Sequence, residues 1–282
     1  MRKSKSILPK ICQKSGLLAL LSGICLWLYY QADTSEVQPK TNTYNKDSTT
    51  QYLTQLLPAK SPGTFVQHSR FSLSYSEIHE QAEWVAYALS EPALSAKKFN
   101  RTGFAFIPDP KINSKSANPN DYSGSSYDRG HLCPAADMAY DSIALRETFY
   151  MSNISPQTKA FNQGVWRVIE SNTRNWAKNI GHTLVITGPV LSKPGLEQIG
   201  QNKVTVPVGF FKVIYTPQFQ QAIGFIVPNQ YTPKDPMQYA FNIDYIEQIT
   251  NINFLPNLTV ELQSAIESKL DLSFWNHHAS YN

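Results

Sequence analysis

The clearest hydrophobic patterning along the chain lies in three runs bounded by Pro, Gly or Asn. They are "HTLVITGPV" from His182, "KVTVPVGFFKVIYT" from Lys203 and "QAIGFIVPN" from Gln221. β-branched and aromatic residues dominate all three, so each predicts a strand. Helical spacing is predicted for "SYSEIHEQAEWVAYAL", where Ser76 is a cap candidate and Ile78, Ala82, Trp84, Val85 and Ala88 suggest an apolar stripe. A second helix is expected over Ser155–Asn179, through Trp166, Ile169 and Trp176. "DPMQYAFNIDYIEQITNINFLPNL" predicts a strand edge followed by a short helix around Ile243–Thr250, and Lys111–Ser126 is rich in turn formers and predicts a long loop. The strands follow one another without regular helical crossovers. The fold class is therefore α+β, a mainly antiparallel central sheet flanked by helices.

Upstream of this texture the pattern changes twice. Residues 1–32 carry Arg2, Lys3, Lys5, Lys10 and Lys14 with no acid, then the uncharged run Gly16–Tyr30. Fifteen helical residues reach about 22 Å, short of the roughly 30 Å of a hydrocarbon core. The segment reads as a signal peptide, or as an N-terminal membrane anchor held by Trp27, Tyr29 and Tyr30 at the interface. Export of the rest, to the periplasm or beyond the cell, follows as an expectation. Residues 33–58 are polar, Thr/Ser-rich and read as a linker, which leaves 59–282 as the folded domain.

Charge then loses most of its meaning. The chain is formally +4, but beyond residue 32 it holds 20 basic and 21 acidic side chains. Global charge therefore gives no argument for a polyanionic partner. Cys12 and Cys25 fall in the targeting segment, so Cys133 stands alone: no internal disulfide and no zinc spacing is available to the domain.

The densest chemistry is "YDRGHLCPAADM", residues 127–138. His131 is the residue type of a general base near neutral pH. Arg129 suits bidentate phosphate contact, Asp128 can orient either neighbour, and Gly130 removes bulk between them. Downstream, Asn162, Trp166, Glu170 and Arg174 recur every four residues, one stripe of a helix, with Glu170 and Arg174 as a potential exposed pair. Lys97, Lys98, Arg101, Lys111, Lys115, Lys159, Arg167 and Lys178 flank these motifs as a possible backbone-contacting groove. The remaining histidines, His68, His79, His182, His277 and His278, carry no assigned chemistry, and Cys133 reads as a packing residue.

Taken together, "DRGHLCPAADM", "SNISPQ" and "FNQGVWRVIE" resemble the DNA/RNA non-specific endonucleases, the ββα-metal nucleases with a DRGH motif. The similarity continues through "ITGPVL", "VTVPVGFFKVI" and "DYIEQITNINFLPNL" and spans Pro62 to Trp275. The resemblance implies a ββα-metal motif and a set of roles. His131 is the general base, and Asn162 is the ligand of Mg²⁺ (or Mn²⁺ or another divalent cation). Glu170 is the acid that hydrogen-bonds metal-bound water. Arg129, Arg174 and, upstream, Arg101 contact phosphate, and Asn153 fixes the histidine or the substrate. It further implies DNA and RNA as substrates, cleaved with little sequence preference to 5′-phosphate and 3′-hydroxyl ends. A catalytically weak nucleic-acid-binding module and a phosphodiesterase of small nucleotides are the alternatives. A homodimer, membrane anchoring and an inhibitor partner are compatible with the sequence and not specified by it.

Overall fold

A computed structural model describes residues 57–59 and 61–279. The expected targeting segment (1–32) and nearly all of the expected linker (33–58) lie outside the described residues. Among the described residues, no helix is long and apolar enough to cross a membrane.

The described residues hold eleven strands: β1 (Thr64–Gln67), β2 (Phe71–Ser76), β3 (Gln81–Leu89), β4 (Tyr127–His131), β5 (Ile154–Thr158), β6 (Thr183–Val190), β7 (Gln198–Ile199), β8 (Val204–Thr205), β9 (Gly209–Thr216), β10 (Gln221–Pro228) and β11 (Ala240–Phe241). Seven form the central sheet in the order β1-β2-β3-β6-β9-β10-β11, with antiparallel pairing throughout. β4 pairs with β5, and β7 with β8, as separate two-stranded ribbons. The α-helices among the described residues are α1 (Glu91–Ser95), α2 (Ser142–Glu147), α3 (Lys159–Asn162), α4 (Val165–Ile180), α5 (Ile243–Thr250), α6 (Val260–Glu267) and α7 (Leu272–His277).

The sheet is buried on both faces, which makes three layers. Tyr87, Val185, Phe210, Ile214 and Phe225 face α4, packing with Trp166, Ile169 and Trp176. Trp84, Ile186, Phe211 and Val213 face the other way, against Ile243 and Ile246 of α5, Phe254 of the connection that follows it, and Ile266 of α6. This double burial explains why β6, β9 and β10 read as nearly continuous apolar runs.

Three expectations are corrected. "SYSEIHEQAEWVAYAL" is not a helix but the end of β2, a turn at Glu77–Glu80 and β3. Because β3 is central, apolar residues fill both of its faces, and a two-sided strand mimics a helical stripe. Ile78, assigned to the helix interior, is 80% exposed in the turn. Ser155–Asn179 is not one helix either: it begins as β5, continues as α3, and restarts as α4 after Gly164. A side chain at Gly164 would overlap the Ala160 carbonyl, so the chain turns there with no room for a Cβ. The run from Lys203 is two strands, β8 and β9, separated at Pro207. By contrast β6, β10, β11 and α5 fall where their patterns put them, α5 being capped by Asn242, whose side chain accepts from the Tyr245 N–H.

Candidate active site

β4, β5 and the α3–α4 pair make a ββα unit on the α4 side of the sheet. It opens into a cleft of about 510 Å³ whose lining includes Arg101, Arg129, His131, Asn162, Arg167 and Glu170. The structure thus gathers five of the seven residues singled out in the sequence. Asn153 and Arg174 do not line the cleft.

His131 ends β4 between two aromatic rings, Phe106 at 5.5 Å and Phe149 at 5.2 Å between centroids. Burial of the ring lowers its pKa to about 4, with the Arg101 charge adding to the effect, so the imidazole is neutral at physiological pH. Its Nε2 is buried with no hydrogen-bond partner among the described residues.

Gly130 is required between Arg129 and His131 by lack of space. It lies inside a regular strand, opposite Ser155, and a Cβ there would overlap the Gln157 side chain. Arg129 donates to the Pro119 carbonyl from Nε (3.3 Å) and Nη2 (3.0 Å) and stacks over Phe106 at 5.6 Å. Arg101 is exposed and packs over Phe149 at 5.7 Å, so both arginines present charge to the cleft from aromatic supports.

Asn153 is fully buried behind the strand. Its Oδ1 accepts from the Cys133 N–H (2.9 Å), and its Nδ2 donates to the carbonyls of Cys133 (3.0 Å) and Thr148 (2.9 Å). With Leu132 N donating to Asn153 O (2.9 Å), this clamps the backbone just after His131. Of the two functions expected of it, only fixing the histidine is open to a side chain so placed; a contact with substrate is not. Cys133 beside it is buried, and burial raises its thiol pKa well above the usual range, the behaviour of a packing residue.

Asn162 closes α3 at the cleft. Its Nδ2 donates to Asp128 Oδ2 (3.0 Å), which leaves the amide oxygen as the group offered to the cleft. Asp128 therefore orients the asparagine, not Arg129 or His131 as its place in the sequence suggests. The sequence offers no signal for this pairing across 34 residues. Glu170 lies two turns farther on, on α4. Burial raises its pKa to about 7; Lys212 opposes that rise, Asp137 adds to it and Arg174 opposes it.

The expected Glu170–Arg174 pair does not form. Arg174 Nη1 instead donates to Asp137 Oδ1 at 2.8 Å, because Asp137 is buried and needs a cation. Asp137 Oδ2 accepts from the Tyr87 hydroxyl at 3.0 Å. Arg174 is thus engaged at the back of the site, and Arg167, one turn from α3, is the arginine of α4 that lines the cleft. The other cations named in the sequence are absent from the lining.

An oxygen-seeking divalent cation fits this donor set. The Asn162 amide oxygen is oriented by Asp128, and the carboxylates of Asp128 and Glu170 share the cleft. Elsewhere, Asp244, Glu247 and Glu267 bring carboxylate oxygens within 4.8 Å of one another on α5 and α6, in the opposite layer. Glu247 accepts from the Phe254 N–H (2.8 Å) and Glu267 from Gln263 (3.1 Å), so this cluster organises the chain after α5.

The family model of DNA/RNA non-specific endonucleases matches residues 54–261. Nuclease C1 of Cunninghamella echinulata var. echinulata is 32% identical over 224 residues, 73% of this chain and 89% of that protein. Mitochondrial endonuclease G of Bos taurus is 32% identical over 216 residues, 70% of this chain and 71% of the relative. A nuclease of Nostoc sp. (strain PCC 7120) is 29% identical over 219 residues, 72% and 77% of the two chains. Among solved structures, a chain of the complex of EndoG with EndoGI superposes with a TM-score of 0.67 at 26% identity, covering 74% of this chain and 91% of that one. The family match runs through the ββα unit and the sheet that supports it, and the chain belongs to the DNA/RNA non-specific endonuclease family.

Proposed function

We propose that the cleft hydrolyses phosphodiester bonds of DNA and RNA with little sequence preference, in an Mg²⁺-dependent reaction that leaves 5′-phosphate and 3′-hydroxyl ends. The observation that carries this reading is a neutral His131 sharing one cleft with the Asn162 amide and three arginines. His131 takes the proton of the attacking water as its oxygen bonds to phosphorus, and the P–O3′ bond breaks, the departing 3′ oxygen taking a proton from a second water to become the 3′-hydroxyl. Arg101, Arg129 and Arg167 bind backbone phosphate, which gives affinity without sequence information. Asn162 would hold the cation, with Asp128 orienting its amide, and the Glu170 carboxylate would accept hydrogen bonds from water beside it. When bound, the cation supplies positive charge against the negative charge that develops on the phosphate and the departing oxygen.

Replacing Asn162 with Ala is expected to raise the Mg²⁺ concentration needed for half-maximal cleavage at least about tenfold. A metal titration with wild-type midpoint in Asn162→Ala would remove Asn162 from the role of ligand. Asp128→Asn should shift the same midpoint in the same direction by a smaller factor.

The N-terminal pattern supports export, with the nuclease domain outside the cytoplasm, either released or anchored. N-terminal sequencing of protein recovered from outside the cell should begin near residue 33 if the segment is removed. Recovery of the protein only from the cytoplasm would refute export. EndoG, the structural relative, is inhibited in its complex with EndoGI, and this supports control by an inhibitor partner here too.

A further inference from the structure

Strand β9 runs "GFFKVIYT" through the middle of the sheet, and its one charge, Lys212, is 0% exposed. Lys212 lies between Thr187 of β6 and Phe225 of β10 in register and points to the α4 face. Its Nζ sits 4.9 Å from the centre of the Trp166 ring and has no hydrogen-bond partner among the described residues. Trp166 lies one helical turn before Glu170 on α4, so the ammonium arrives beneath the acid of the cleft.

A buried ammonium is costly unless an anion answers it. Two carboxylates face it, Asp137 and Glu170, together with the Arg174 guanidinium and the Cys133 thiol. Asp137 is already engaged on both oxygens, by Arg174 and by the Tyr87 hydroxyl. Glu170 has no such partner among the described residues; its charge is the strongest one acting on Lys212, as that of Lys212 is on Glu170. Packing gives no reason for a lysine here, since its strand neighbours Phe210, Phe211, Val213 and Ile214 are all apolar and buried.

We propose that Lys212 is a positioning residue of the nuclease site: from behind the cleft, its buried ammonium is the counter-charge that holds the Glu170 carboxylate in place. The proposal rests on the reading of Glu170 given under Proposed function. It makes the central strand, and not only the ββα unit, part of the site.

The test is a double-mutant cycle on the full chain, with kcat and KM measured on duplex DNA at saturating Mg²⁺. Lys212→Met should lower kcat roughly 10- to 100-fold with KM within about threefold of wild type, and Lys212→Arg should recover most of the loss. In the Glu170→Gln background, Lys212→Met should cost little more. Losses that multiply, or a folded Lys212→Met with wild-type kcat, would overturn the proposal and leave the role of Glu170 standing. Wild-type activity in Glu170→Gln would overturn the role of Glu170 itself. If Lys212→Met folds but is too unstable for kinetics, melting temperatures decide: the double variant should melt above Lys212→Met, because both buried charges have gone together. A double variant that melts lower contradicts the pairing.

Discussion

His131→Ala is expected to lower the cleavage rate by about 10²–10⁴-fold while leaving the melting temperature close to that of wild type. The loss is large because nothing else in the cleft can take the proton in the same way. The arginines are permanently charged, Asp128 is engaged by the Asn162 amide, and Glu170 is assigned to water beside the cation. With a pKa lowered to about 4, the imidazole is ready as a base throughout the neutral range, and protonation removes it only well into acid. The fold should survive because the backbone at this point is held by Asn153 and by pairing with β5, neither of which uses the ring. Circular dichroism and plasmid nicking on the same sample separate the two effects. Near-wild-type cleavage by a folded His131→Ala protein would exclude the base.

The second large effect concerns stability. His68, left without a role by the sequence, sits with no exposed side-chain surface between two carboxylates: Nε2 is 3.0 Å from Asp109 Oδ2, and Nδ1 is 3.6 Å from Glu147 Oε1. Ser152 donates to Asp109 (2.5 Å), and Ser69 donates to Glu147 through its N–H (2.8 Å) and its hydroxyl. The network ties the β1–β2 turn to the segment that carries Phe149 and Asn153, both neighbours of His131.

Burial pulls the His68 pKa down, but the two carboxylates outweigh it and the net shift is upward; the same contacts hold Asp109 and Glu147 below their usual values. The histidine's contribution to stability is therefore full below about pH 6.5 and is lost as pH rises through its raised value. The carboxylates' contribution is present above about pH 4 and is lost as pH falls through their lowered values. His68→Leu removes the buried cation between the two carboxylates, leaving only Lys111 Nζ, 3.9 Å from Glu147 Oε1, as a cationic partner among the described residues. It should cost about 3–5 kcal/mol at about pH 6. The cost should be smaller at an alkaline pH above the raised His68 value, where the wild-type imidazole loses its charge. Urea unfolding at the two pH values tests this; an equal cost at both would show that packing, not charge, is what His68 supplies.

What the sequence made legible follows from the range of each interaction. β6, β10, β11 and α5 were legible because local pattern and caps decide them. The β2–β3 hairpin was not, since a central strand buried on both faces carries no alternation to distinguish it from a helix. The α3–α4 break depended on space beside Gly164, which only the folded chain defines. At the site, Arg101, Arg129, His131, Asn162 and Glu170 could be named because their residue types and order carry a family resemblance. Three features could not: Asp128 as the partner of Asn162, Asp137 as the partner of Arg174, and Lys212 beneath Glu170. Each joins residues far apart in the chain, and each answers a buried or aligned polar group whose need arises only after the layers close. Spacing along a helix suggested a Glu170–Arg174 pair; burial of Asp137 outweighed it.

The central claim is that this cleft cuts nucleic acid with a divalent cation. It is tested most directly by incubating the full chain with supercoiled plasmid and with RNA, in Mg²⁺ and in EDTA. Both substrates should be degraded in Mg²⁺, the DNA fragments should carry ligatable 5′-phosphate and 3′-hydroxyl ends, and EDTA should abolish cleavage. Undiminished cleavage in EDTA, or tight binding of both substrates in Mg²⁺ with no cleavage of either, would contradict it.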